Sequence, residues 1–155
     1  MAVMAESATN TTPASNTTPA SSQSCSMITK DQVAGLFDRW NESLQTGDPE
    51  KVIANYAPNG ILLPTLSNKM RTNHAEMKEY FNHFLAKGPQ GTINERLIDI
   101  GCNTAFDAGL YTFKFKDGSE AKARYSYVYE FQDNKWLISH HHSSVMPETT
   151  SNATH

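Results

Sequence analysis

The feature that most constrains this chain is a change of rhythm at Gly88-Pro89. Before it, apolar residues recur at helical spacing. After it, the sequence reads as strands, predicted over 92–101, 104–115, 120–132 and 135–143. Asp117-Gly118 and Asp133-Asn134 are hairpin turns joining the last three. Connections this short force antiparallel neighbours. A meander of this kind buries one face, so the segment before Gly88 must supply the covering layer.

That segment reads as helices with explicit start and stop signals. Thr29 and Gln32 form a capping box ahead of the stripe Val33, Leu36, Phe37, Trp40 and Leu44, and Gly47 ends it. Asp48-Pro49 starts a short second helix with Val52, Ile53 and Tyr56 on its apolar face. Pro58-Asn59-Gly60 stops it, and Ile61–Pro64 is a brief extended piece. Asn73 and Glu76 make a second capping box, followed by Met77, Phe81, Phe84 and Leu85. The expected fold class is α+β, with three N-terminal helices packed on a curved antiparallel sheet.

Three segments follow from composition. Residues 1–27 are rich in Ser, Thr, Asn, Pro and Ala, with Asn-Thr-Thr-Pro-Ala-Ser at 10–15 and again at 16–21, and are expected to be disordered. Residues 28–147 form the folded unit, and 148–155 a second tail. The net charge of −3 and the lack of a basic block argue against nucleic acid. No apolar run reaches the roughly 20 residues of a membrane helix, and Met1–Glu6 has neither the charge nor the apolar stretch of a signal peptide. Cys25 and Cys102 stand on opposite sides of the tail boundary and give no disulfide framework or metal spacing, so a reducing, cytoplasmic location is expected. The Asn10 and Asn16 glycosylation sequons are then chance matches.

The order of elements resembles the nuclear-transport-factor-2-like, cystatin-like cone superfamily. Glu42-x-Leu44-x-x-Gly47-Asp48, Tyr56-Ala57-Pro58-Asn59-Gly60 and Lys135-Trp136-Leu137-Ile138-Ser139-His140-His141-His142-Ser143-Ser144 sharpen the likeness. Together they resemble the association (hub) domain of calcium/calmodulin-dependent protein kinase II and its stand-alone, SnoaL-like relatives. No kinase motif accompanies it: there is no Gly-rich loop, Val-Ala-Ile-Lys or His-Arg-Asp.

Alternation places Tyr125, Tyr127, Tyr129 and Phe131 on one face of their strand, and Arg124, Ser126, Val128 and Glu130 on the other. The last strand divides into Trp136, Ile138, His140 and His142 against Leu137, Ser139, His141 and Ser143. Neither strand shows a Lys/Glu solvent face, so the outer face is expected to meet another copy of the chain. The resemblance implies dimers assembled into a ring. It also implies a small-molecule pocket between helices and sheet, lined by Tyr111, Tyr127, Ser139, His141, Ser143 and Arg124. The hub's pocket arginines are replaced here, with Tyr111, Tyr127 and Ser143 at the matching positions. Arg124 and Arg96 are substitutes, although alternation puts Arg124 opposite Tyr127. The Asp133-Asn134 turn permits two registers. A two-residue loop sets Tyr127 against His140; one more residue sets it on the face of Ser139 and His141.

Chemistry-bearing residues are sparse. His140 and His142 share a face but lack a third ligand, so no metal site is expected. Ile61–Pro64 lacks the aspartate that ketosteroid-isomerase-like relatives carry on this strand. Asp107 and Glu95 are left over, and a bulge or strand end would expose Asp107 harmlessly. His74 and Arg71 are explained by helix capping and solvent, and Cys102 has no activating base beside it. No Gly-rich phosphate loop, nucleophile elbow, nicotinamide or flavin motif is present, so no catalytic residue and no cofactor is assigned. The resulting expectation is a kinase-free, self-associating hub-like protein with a small-molecule pocket. The alternative is a SnoaL-like isomerase, cyclase or dehydratase, or a carrier, acting in that pocket.

Overall fold

The computed structural model describes residues 24–148. Helix α1 (Lys30–Gln45) starts on the full capping box: the Thr29 hydroxyl accepts from Gln32 N–H and the Gln32 side chain accepts from Thr29 N–H. It buries Val33, Phe37, Trp40 and Leu44, and Gly47 follows in the left-handed region. Helix α2 (Pro49–Ile53) is capped by Asp48, whose carboxylate accepts from Glu50 N–H. Helix α3 (His74–Leu85) is capped by Asn73. Its box is not reciprocal, because the Glu76 carboxylate accepts from Thr72 N–H and the Asn73 side chain rather than from Asn73 N–H.

Tyr56 does not extend α2. It opens β1 (Tyr56–Leu63), which also includes Pro58-Asn59-Gly60. The remaining strands are β2 (Gln90–Gly101), β3 (Thr104–Lys114), β4 (Glu120–Gln132) and β5 (Lys135–Val145). The sheet order is β1-β5-β4-β3-β2. The sheet is mixed rather than wholly antiparallel, since β1 runs parallel to β5. Between Tyr56 and Ile61 β1 bulges away from its partner, and a Cβ on Gly60 would stand 2.8 Å from the Ile138 carbonyl oxygen. Only glycine fits that approach.

Two further bulges decide which side chains face the helices. In β2 the register shifts at Asn94: Ile93 pairs with Tyr111, but Glu95 pairs with Leu110. The extra residue changes the inward set from odd to even positions, so Arg96 and Ile98 point toward the core. Gly109 lies under this bulge, where a Cβ would fall 1.9 Å from the Glu95 carbonyl oxygen. In β5 the Asp133-Asn134 turn has two residues, both at positive φ, as the right-handed strand twist requires. A bulge after Ile138 then adds one residue, so Tyr127 pairs with His141. The turn has the shorter loop, and the strand itself supplies the inserted residue.

Inward positions of β3, β4 and β5 join the apolar faces of α1, α2 and α3 in one core rich in aromatic rings. The opposite face carries Leu97, Phe106, Leu110, Val128, His140 and His142.

Cys25 and Cys102 are joined by a disulfide, overturning the expectation of two unrelated thiols. The bond ties the segment before α1 to the β2–β3 turn. Ser26 N–H donates to the Asn103 side chain there at 2.7 Å, and Ile28 enters the core. Nearly all of the two segments expected to be disordered lies outside the described residues.

Candidate functional site

A cavity of about 250 Å³ opens between α3, the segment after β1, and the inward face of β3–β5. Its walls are aromatic: Tyr80, Phe81, Phe84, Phe113 and Phe115 surround it, with Trp40 behind. Helical spacing on α3 brings Phe81 and Phe84 to one wall, and alternation on β3 brings Tyr111 and Phe113 to the other. Leu66, His83, Lys87 and Val145 are solvent-exposed and mark its opening.

Apart from Tyr80 and the residues at the opening, the polar side chains of the cavity include Tyr111, His141, Ser143 and Thr65, which belong to one hydrogen-bonded chain. Trp40 Nε1–H donates to Tyr56 Oη at 3.1 Å. Tyr56 Oη lies 2.7 Å from His141 Nδ1, and His141 Nε2 lies 3.3 Å from Tyr111 Oη. Tyr111 Oη donates to Ser143 Oγ at 2.5 Å, and Thr65 Oγ1 lies 2.5 Å from the same oxygen.

The donor inventory orients this chain. Indole can only donate, so the Tyr56 oxygen accepts there. Tyr111 gives its one hydrogen to Ser143, so it accepts from His141 Nε2–H, and Nδ1 of the neutral ring accepts from Tyr56. Burial, reinforced by His140 and His142, pushes the His141 pKa down to about 3, so the ring is neutral near pH 7. Its remaining hydrogen is therefore on Nε2 and points to Tyr111, whose hydroxyl donates onward to Ser143. Burial also raises the Tyr56 and Tyr111 hydroxyls above their ordinary range. The network is uncharged throughout. It offers hydrogen bonds rather than a group that exchanges protons near neutrality.

Of the pocket residues expected from the sequence, Tyr111, His141 and Ser143 line this cavity. Tyr127 does not; its ring stacks on His141 with centroids 4.0 Å apart, and its hydroxyl is buried without a partner. Ser139 is at the β5 bulge and donates to the Val128 carbonyl. Arg124 is exposed and pairs with Leu110 and Ser144, on the face away from the cavity.

Asp107 is not exposed as expected but wholly buried. Arg96 Nη2 donates to its carboxylate at 2.7 Å, and Tyr125 Oη donates at 2.8 Å. The β2 bulge makes this pairing by turning Arg96 inward. The sequence reading also missed Trp40, Tyr56 and Thr65 as parts of the site. Trp40 was legible only as a core position, and Thr65 lies in a loop with no periodic signal.

His140 and His142 face away from His141, and among the described residues no group of three His, Cys, Asp or Glu side chains is placed to hold a metal ion. No described helix is long and apolar enough to cross a membrane.

Comparison with known proteins agrees with this architecture. Residues 29–147 match the family model for the calcium/calmodulin dependent protein kinase II association domain. A candidate association domain of that kind from Xanthomonas campestris is 45% identical. It covers 82% of this chain and 98% of its own, with a TM-score of 0.74. A cystatin-like protein of unknown function from Nostoc punctiforme is 18% identical over 81% of this chain and 97% of its own, with a TM-score of 0.68. A candidate dehydratase of the NTF2-like family from Streptomyces avermitilis is 14% identical over 76% and 96%, also with a TM-score of 0.68. The last two show likeness of fold alone. Comparison with curated proteins returns no match. The match over 29–147 and the Xanthomonas likeness place the chain in the calcium/calmodulin dependent protein kinase II association-domain family.

Proposed function

We propose that this protein is a stand-alone, non-catalytic hub: residues 28–147 bind further copies of themselves through the outer face of the sheet and carry a small-molecule pocket on the inner side. The observation behind this reading is the composition of the outer face. Leu97 is 64% exposed and Phe106 38% exposed, beside half-buried Leu110 and Val128. The helices pack against the other face. A contiguous apolar patch of that kind marks an association surface, and symmetry favours a closed dimer as the unit from which a ring is built. A non-catalytic role is supported by the cavity, whose one histidine at the network's centre is held neutral. The cystine favours an oxidising compartment over the cytoplasm expected from the sequence.

Sedimentation velocity tests the assembly. The wild-type protein is expected to sediment as a multi-subunit particle, and a Leu97→Asp/Phe106→Asp double variant as the 17.2 kDa single chain. Both positions are exposed in the single chain, so the substitutions leave its fold intact. A wild-type protein that sediments as one subunit, or a variant that assembles normally, overturns the proposal.

A further inference from the structure

The hydrogen count at the cavity floor does not close. Trp40, Tyr56, His141 and Tyr111 each pass one hydrogen along the chain, and the last arrives at Ser143 Oγ. Ser143 and Thr65 then hold two hydroxyl hydrogens between them, and their mutual bond uses one. Whichever way that bond points, one hydrogen remains at the edge of the cavity. The floor therefore presents a donor. Around that floor the walls are mainly apolar: Phe81, Phe84 and Phe113 with Leu62 and Ala123, while Tyr80 is a wall residue that carries a hydroxyl.

The charge balance narrows the match. The one lysine of the lining, Lys87, is exposed at the opening and not at the floor, and no arginine lines the cavity. A carboxylate pressed against Ser143 would lose its hydration with no counter-charge, whereas a neutral carbonyl oxygen loses little and gains the hydrogen bond. The volume of about 250 Å³ falls below the ~300–1,000 Å³ of drug-sized pockets, which suits a molecule built on one ring.

Resting on the reading of this cavity as a ligand site, we propose that it binds a small neutral carbonyl compound with a compact apolar or aromatic body. The carbonyl oxygen accepts from the Ser143–Thr65 hydroxyl pair, and the body lies between Phe81, Phe84 and Phe113. This class differs from an anionic ligand, which would need cations at the floor.

Equilibrium dialysis of the full chain against matched probes tests the assignment. Acetophenone is expected to bind at least tenfold more tightly than α-methylstyrene, which replaces the carbonyl oxygen by a methylene of the same shape. It is also expected to bind at least tenfold more tightly than benzoate. Ala121→Leu fills the cavity from the β4 side and is expected to abolish acetophenone binding, while Lys51→Ala, on α2 and outside the cavity lining, leaves it unchanged. Equal affinity for acetophenone and α-methylstyrene, preference for benzoate, or binding that survives Ala121→Leu each overturns the proposal. Sedimentation of the same samples reads assembly separately. Intact particles without ketone discrimination refute the ligand class alone, and ketone binding by a single subunit refutes the hub alone.

Discussion

His141 makes stability depend on pH in a way that isolates the buried network. Its pKa is about 3 in the folded protein against an ordinary 6.5, because burial disfavours the cation. The unfolded chain therefore binds a proton that the folded chain refuses, and stability rises with pH between these two values. The stabilisation is complete above pH 6.5 and is lost as the pH falls toward 3. At pH 4.5, two pH units below the unfolded value, His141 alone removes about 2.7 kcal/mol, at about 1.36 kcal/mol per unit. His140 is also lowered by partial burial and by His142, so it adds to the trend with the same sign. The comparison that separates them is His141→Gln, whose amide can accept from Tyr56 and donate to Tyr111 but does not titrate. Urea unfolding at pH 7.0 and 4.5, at one protein concentration, measures both proteins. The wild type is expected to lose about 2.7 kcal/mol more than the variant between these pH values. An equal loss in both refutes the claim that the ring is neutral and sealed from water.

The remaining predictions probe other parts of the fold. The disulfide closes a 77-residue separation; loop entropy sets an upper limit of about 4.5 kcal/mol, and ~2–4 kcal/mol is expected on reduction, read as the shift in guanidinium midpoint with and without dithiothreitol. Asp107→Asn leaves Arg96 turned inward without its counter-charge and is expected to cost about 3 kcal/mol, measured by chemical unfolding at pH 7. Tyr127→Phe and Tyr129→Phe remove hydroxyls that are buried without partners and are expected to be neutral or stabilising by up to ~1 kcal/mol, whereas Tyr56→Phe breaks two bonds of the network and is expected to cost ~1–2 kcal/mol. Thermal melts of the three tyrosine variants side by side check that order.

Features written in neighbouring residues were legible in the sequence. Thr29 with Gln32, Asp48 before Pro49, and the Asp133-Asn134 turn act over a few positions, and each stands where its chemistry predicts. Features that depend on distant partners were not legible. Cys25 and Cys102 are 77 positions apart and lie on what reads as two separate segments. Tyr56 has the spacing of an α2 stripe residue, but pairing with Ile138 on β5 draws it into β1. A buried aspartate such as Asp107 cannot be told from an exposed one until its cation is located, and Arg96 reaches it only after a change of register.

That change of register recurs, and the site depends on it. Without the β5 bulge, the two-residue turn would carry its pairing onward and set Tyr127 against His140. His140 and His142 would then face the core, and His141 would lie on the outer face, away from Tyr56 and Tyr111. Without the β2 bulge, Glu95 and Leu97 would face inward in place of Arg96, and Asp107 would be buried without a cation. Each bulge inserts one residue, yet each reverses the face of every residue beyond it. Strand alternation locates the candidate inward residues, while the two insertions at Asn94 and Ser139 select which set is used. The polar interior of this aromatic core therefore originates in backbone irregularities: they turn one histidine and one arginine inward, where tyrosines and an aspartate complete their hydrogen bonds.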